Sequence, residues 1–216
     1  MGLSSSLWAE QDPVNFELGL GYGLLDQKSL LNIDAKVNMP LGEYSSTQVY
    51  LNSNYLITGS DKDTYALSEL ASNWFLFNDY GRIGAGLGVT ELVPKDASQE
   101  SEREVTGRLM VDAFLENFSF MGQYVSADRS LSNLTSSRIG MSYYLDDTRR
   151  VSLYKERFDD KDVWRLEHYF QPDSLEQLAS VGLIARKNND LSYFGVAIEY
   201  YFDRVFTLKD KDRAYH

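Results

Sequence analysis

From Val14 onward, apolar residues recur at every second position. Val14, Phe16, Leu18, Leu20, Tyr22 and Leu24 share one parity, and Asn15, Glu17, Gly19, Gly21 and Gly23 share the other. An extended strand points successive side chains to opposite faces, so this segment has one apolar face and one polar or small face. The pattern returns repeatedly. Leu31, Ile33, Ala35, Val37 and Met39 oppose Asn32, Asp34, Lys36 and Asn38. Ile83, Ala85, Leu87 and Val89 oppose Arg82, Gly84, Gly86 and Gly88. Val105, Leu109, Val111, Ala113 and Leu115 oppose Arg108, Asp112 and Glu116. Ile139, Met141, Tyr143 and Leu145 oppose Arg138, Gly140 and Ser142. Phe194, Val196, Ile198, Tyr200 and Phe202 oppose Tyr193, Gly195, Ala197 and Glu199.

Turn-forming clusters separate these runs, at 26–29, 41–43, 59–63, 78–81, 94–104, 116–117, 127–136, 146–148, 159–162, 171–173 and 187–190. The runs between them number about twelve, each of roughly ten residues, the length that crosses a bilayer at a tilt of ~45°. Short sequential connections imply an up-and-down antiparallel meander. Segments 65–77 and 151–170 set no secure register. Glu69 and Asn73 interrupt one face of the first, and Ser68 and Ser72 the other. Segment 151–158 is polar on both faces beyond Leu153, whereas Trp164, Leu166, His168 and Phe170 oppose Arg165 and Glu167.

Alternation alone also suits a soluble sandwich with its apolar face inward. Volume argues otherwise: about twelve strands with five or six large apolar residues each would overfill a closed barrel, whereas a lipid-facing belt has no packing limit. Gly19, Gly21, Gly23, Gly84, Gly86 and Gly88 fall on the polar face, where they make room for charged side chains across a lumen. With both termini periplasmic, Trp74, Phe118, Phe120, Tyr143, Phe170, Tyr200 and Phe202 gather at one rim as an aromatic girdle. The connections 94–104 and 127–136 are then the long extracellular ones. The fold class expected is an all-β transmembrane antiparallel up-and-down barrel over 13–206. Segment 1–12 is set aside as a signal remnant or added residues, and 207–216 forms a charged periplasmic tail.

Composition narrows the function classes. The chain lacks cysteine, which removes disulfides, thiolate metal sites and Cys nucleophiles. Its net charge of −11 and its lack of a dense basic run exclude nucleic acid as a partner. No run of ~18 apolar residues could form a transmembrane helix. The mean hydropathy of −0.37 is compatible with a membrane barrel, whose strands give only alternate residues to lipid.

The last run carries a family resemblance. Gly195, Ile198, Tyr200 and Phe202 follow the spacing of the C-terminal β-signal, and the segment resembles that of bacterial outer-membrane proteins. The resemblance implies a bacterial outer-membrane location and insertion by the barrel assembly machinery. Membrane lipids, including lipopolysaccharide, become the expected partners, while protein partners are not indicated. In that family the signal usually ends the chain; here 203–216 follow. Either the strand runs on through Val205 and Phe206, or a charged tail is appended.

Chemistry is sparse. The two histidines are His168 and His216. Outer-membrane enzymes of the phospholipase type are similar to this chain in size and use a Ser–His pair facing lipid. His168 lies on an apolar face, but no matching signature surrounds any serine. Asp61 with Asp63, and Asp159 with Asp160 and Asp162, lack the spacing of a dedicated calcium loop and read as solvated turns. The Gly-rich runs at 19–23 and 84–88 lie inside strands and open no helix, so they are not phosphate loops. Asn133-Leu134-Thr135 reads as ordinary loop. Neither a cofactor nor a metal is expected, and no catalytic residue is assigned.

The remaining candidates are the inward charges Glu17, Asp34, Lys36, Arg82, Arg108, Asp112, Glu116, Arg138, Arg165, Glu167, Arg186 and Glu199. Buried charges must be paired or wetted, so these form either the wall of an aqueous path or a salt-bridged filling. Three functions follow as expectations. The first is a narrow channel for ions or small polar solutes. The second is a closed barrel acting through its loops and the 209–213 stretch. The third is a lipid-active enzyme using His168. Barrel shear, and hence pore width, is not readable from sequence.

Overall fold

A computed structural model describes residues 14–57, 65–94, 100–127, 136–158, 161–189, 192–202 and 205–215. Segment 1–12, Asp61, Asp63, Asn133, Asp159, Asp160 and His216 lie outside the described residues. The alternating runs form β1 (Asn15–Leu25), β2 (Lys28–Gly42), β3 (Ser45–Ile57), β4 (Tyr65–Asn78), β5 (Gly81–Pro94) and β6 (Glu102–Leu115). They continue as β7 (Phe118–Ala127), β8 (Ser136–Asp146), β9 (Arg149–Phe158), β10 (Lys161–Phe170), β11 (Ala179–Lys187) and β12 (Ser192–Phe202). Each strand pairs antiparallel with its sequence neighbours, and β1 pairs with β12, giving a closed barrel of twelve strands. The seam runs from Phe16↔Phe202 to Leu25↔Tyr193. At its far end the Ser192 amide donates to the Asp26 carboxylate at 2.7 Å.

The barrel is inside-out. Phe16, Leu18, Leu20, Tyr22 and Leu24 are exposed on the outer surface, while Asn15 and Glu17 are buried on the inner one. The same holds at Ile83, Leu87 and Val89, and at Phe194, Val196 and Ile198. With the apolar face outward, these residues meet lipid, as a transmembrane barrel requires.

The insecure segments resolve by the same rule. In β4, Leu70, Trp74 and Leu76 face out, and Ala71, Asn73 and Phe75 are buried inside. In β9, Ser152, Tyr154 and Glu156 are buried, while Leu153 faces out. Outward Lys155 is matched by outward Asp162 on β10, at 2.7 Å.

The two ends differ. At the terminus end, the β2–β3, β4–β5, β6–β7 and β8–β9 connections are two-residue turns. Their rim is continuous: the Phe77, Phe114, Tyr144, Gln171 and Tyr201 amides donate to the Tyr44, Tyr80, Asn117, Thr148 and Leu178 carbonyls at 2.7–3.0 Å. Each hairpin is thereby stitched to the next beyond its own ladder. Aromatic side chains ring this end. Phe118 lies 4.9 Å from Tyr143, and Tyr200 lies 4.7 Å from Phe202, centroid to centroid. At the other, loop end, Asp26 and Gln27 both take positive φ, as a two-residue type I′ hairpin demands.

After β12 the chain neither extends the strand nor trails away. It turns inward and forms one helix, α1 (Leu208–Tyr215), against the interior of the terminus end. Leu208 is fully buried and joins Tyr169, Ile184, Tyr193 and Ala197 in an apolar cluster within an otherwise polar interior.

Candidate functional site: a charged lumen with a helical floor

Glycines on the inner face let neighbouring side chains lie flat across the wall. A Cβ at Gly84 would collide with the Phe75 ring, one at Gly140 with Tyr154, and one at Gly182 with Tyr169. Aromatic rings from flanking strands therefore lie over these positions. The first two strand pairs carry amide ladders. Asn73 donates to Gln48 at 3.2 Å, Gln48 to Asn38 at 2.9 Å and Asn38 to Asn15 at 3.4 Å. Asn32 donates to Asn54 at 3.1 Å and Asn54 to Asn52 at 2.6 Å; Asn52 in turn donates to Asp34.

Charges sit among these ladders in pairs. Lys36 meets Glu17 at 2.9 Å. Arg82 holds Asp112 through two guanidinium nitrogens at 2.5 and 2.6 Å, with Phe75 stacked 4.9 Å from its Cζ. Arg108 pairs with Glu69, which also accepts from the Tyr50 hydroxyl at 2.6 Å. Across β8 to β11, Glu156 is shared by Arg138 at 2.7 Å, Arg186 at 2.5 Å and Arg165 at 3.7 Å. Arg165 also pairs with Glu167, which reaches Arg150 at 3.3 Å.

These walls enclose a cavity of about 510 Å³ lined by Glu17, Asp34, Lys36, Arg82, Arg108, Asp112, Arg138, Arg165, Glu167, Arg186 and Glu199. Glu116 is not among them. Alternation extended from Asp112 expects it inward, but β6 ends at Leu115, and Glu116 is an exposed turn residue with φ of 47°. A turn breaks the parity on which the expectation rests.

The floor of the cavity is α1. Lys211 points into it, 3.6 Å from Glu17, 3.0 Å from Glu199 and 3.6 Å from Asp212. Burial alone would depress the Lys211 ammonium; the Glu17 and Glu199 carboxylates outweigh it and hold the group well above its ordinary value of 10.5. Asp212 pairs with Arg150 and accepts from the Tyr144 hydroxyl at 3.1 Å. Arg213 donates to the Glu116 and Phe118 carbonyls at 2.6 and 3.1 Å, and Lys209 reaches Asn117 at 2.9 Å. Strands β1 and β12 lie across the ring from β6 to β8, so a helix tied to both sides spans the mouth.

Local chemistry explains why a helix forms here. Thr207 accepts from the Asp210 amide at 3.1 Å, and its hydroxyl meets the Asp210 carboxylate at 2.7 Å, a capping arrangement. Gln171 completes the cap: its Oε1 accepts from the Leu208 amide, and its Nε2 donates to the Phe206 carbonyl, both at 2.8 Å. Sequence reasoning missed Glu69, Arg150, Glu156, Lys211 and Asp212 as lumen residues. Glu69 and Glu156 lie in segments without a secure register, Arg150 just before the second of them, and the last two in a stretch read as tail. The Thr207-Leu208-Lys209-Asp210 spacing was the available signal for the helix.

His168 faces outward, stacked 5.9 Å from Phe170. Its cross-strand partners are Val151 and Leu183, so no hydroxyl stands directly opposite it. Among the described residues, no group of three or more potential metal-binding side chains converges.

Comparison with known proteins places this fold. No protein-family model matches the chain, and no curated protein matches it in sequence. Solved outer-membrane barrels do match in structure. The KdgM porin superposes with a TM-score of 0.61 at 7% identity, over 85% of this chain and 98% of that one. The outer membrane protein Omp33 of Acinetobacter baumannii gives 0.55 at 13% identity, over 87% and 98%. Outer membrane phospholipase A of Escherichia coli gives 0.54 at 10% identity, over 88% and 93%. The chain has the outer-membrane β-barrel fold, and that fold is shared by proteins named as a porin and as an enzyme.

Proposed function

We propose that this protein is a narrow channel for ions or small polar solutes in the bacterial outer membrane, with α1 closing its terminus-end mouth. The observation that carries the reading is the cavity of about 510 Å³, walled by charged side chains and floored by Lys211 and Asp212. A barrel needing only structural filling can use apolar side chains; charges held in pairs along a wetted wall suit passage of charged solutes. The termini face the periplasm in this reading, and lipids, including lipopolysaccharide, surround the belt. Insertion uses the barrel assembly machinery through the segment of Gly195, Ile198, Tyr200 and Phe202.

The second reading, a closed barrel with a structural or interaction role, draws on the same floor, since α1 is tied to β9 and β12 by ion pairs and to the β6–β7 hairpin across the ring by hydrogen bonds. Conductance separates the two. The full chain and a chain ending at Phe206 are folded in detergent and inserted in a planar bilayer. The channel reading expects brief, small steps from the full chain and larger, sustained ones from the shortened chain. Two folded barrels that both stay silent would establish the closed reading.

A further inference from the structure

The strongest unexplained feature of the lumen is the arginine grouping on β8, β10 and β11. Arg165 and Arg186 are direct cross-strand partners on the inner face, a like-charge pairing that destabilises a sheet. Arg138 approaches from β8, and all three converge on one carboxylate, Glu156. The neighbouring Glu167 gives no full compensation, because it also serves Arg150. The grouping therefore holds more cationic than anionic charge. The buried Nε atoms of Arg165 and Arg186 have no hydrogen-bond partner. The Arg138 and Arg186 side chains retain 34% and 38% exposure and line the cavity, so their charge faces the lumen. Their position is near the loop end, away from α1: Arg138 lies close to the start of β8 and Arg186 close to the end of β11.

We propose that Arg138, Arg165 and Arg186 form a binding site for a small oxyanion, a solute carrying a phosphate or carboxylate group. A guanidinium presents parallel N–H donors that match two oxygens of one such group. An oxyanion in the cavity would face Arg138 and Arg186, offset the like-charge pairing and compete with Glu156 for their donors. The site deepens the channel reading and rests on it for the route by which the solute arrives. Oxyanions would then be the class the lumen receives at its loop-end mouth.

The test is phosphorus NMR of inorganic phosphate, titrated with the full-length folded protein in a phosphorus-free detergent. Wild type is expected to broaden the phosphate line saturably, and acetate but not chloride at equal ionic strength should reverse it. Arg138→Gln with Arg186→Gln should weaken binding at least about tenfold, as expected when charge-assisted pairs are lost. Arg103→Gln, an outer-surface arginine paired with Glu91, should leave it unchanged. Should the double variant fail to fold, Glu156→Gln removes the competing carboxylate and should tighten binding several-fold. No broadening in wild type, equal reversal by chloride, or binding indifferent to these substitutions would overturn the site. A barrel that binds phosphate but conducts nothing would keep the site and sink the channel. A conducting barrel that leaves the phosphate line sharp would do the reverse.

Discussion

Replacing Lys211 by Met keeps most of the side-chain stem of α1 and removes its central charge. In wild type that ammonium lies within 3.6 Å of Glu17 and Asp212 and 3.0 Å of Glu199. Removing one partner of a buried ion pair costs about 3–5 kcal/mol, because the other is left buried and uncompensated. Two facts favour the low end here. Glu17 keeps Lys36 at 2.9 Å, and the Glu199 side chain retains 18% exposure. Taking about 3 kcal/mol, at ~1.4 kcal/mol per tenfold, the ratio of docked to undocked α1 falls roughly 100-fold. Amide hydrogen exchange over 207–215 reads that opening equilibrium directly, whatever its starting value. Protection of α1 should drop by about two decades while that of β1 and β12 holds. If α1 protection stays within about threefold of wild type, under ~0.7 kcal/mol, the ion cluster does not hold the helix and the reasoning fails.

Leu87 sits at the middle of β5, 60% exposed on the outer face. Leu87→Arg should destabilise the barrel by about 2–4 kcal/mol in vesicles, seen as a lower urea midpoint; no change would argue that the belt does not meet lipid. A Cβ at position 86 would stand 2.9 Å from the Ser72 carbonyl and collide with Asn73. Gly86→Val should therefore cost about 1–3 kcal/mol and lower the temperature of the heat-induced gel shift. Docking of α1 should be flat between pH 6 and 9 as far as Lys211 is concerned. Its folded value is raised, so its contribution is complete below the unfolded value near 10.5 and is lost only as pH climbs through the raised one. Exchange rates of α1, corrected for intrinsic pH dependence, check this. Finally, His168→Ala should leave lipid turnover where it is in wild type, at background in a phospholipid hydrolysis assay.

The alternation made the barrel legible because lipid and lumen impose opposite polarity on adjacent residues. It assigned Arg82 and Asp112 to one polar face, but only the register makes them partners, and register depends on shear. The convergence of Arg138, Arg165 and Arg186 was hidden for the same reason, since they lie on three strands and one of those, β10, set no register. In β4 and β9, serines and basic residues on the outer face blur the contrast that defines parity. Glu116 marks the opposite failure, where a clean parity was carried one residue past the strand. The helix was obscured by charge: five charged residues in succession, 209–213, read as a solvated tail because their counter-charges sit on distant strands.

Lys211 contacts Glu17 on β1 and Glu199 on β12, the two strands that meet only when the sheet closes on itself. Its seat therefore does not exist in a partly assembled sheet. The segment that occupies it follows the closing strand in the chain, so it cannot settle before closure. The helix acts as a clasp fastened last, and a docked Lys211 is a report that the circle of strands has been completed.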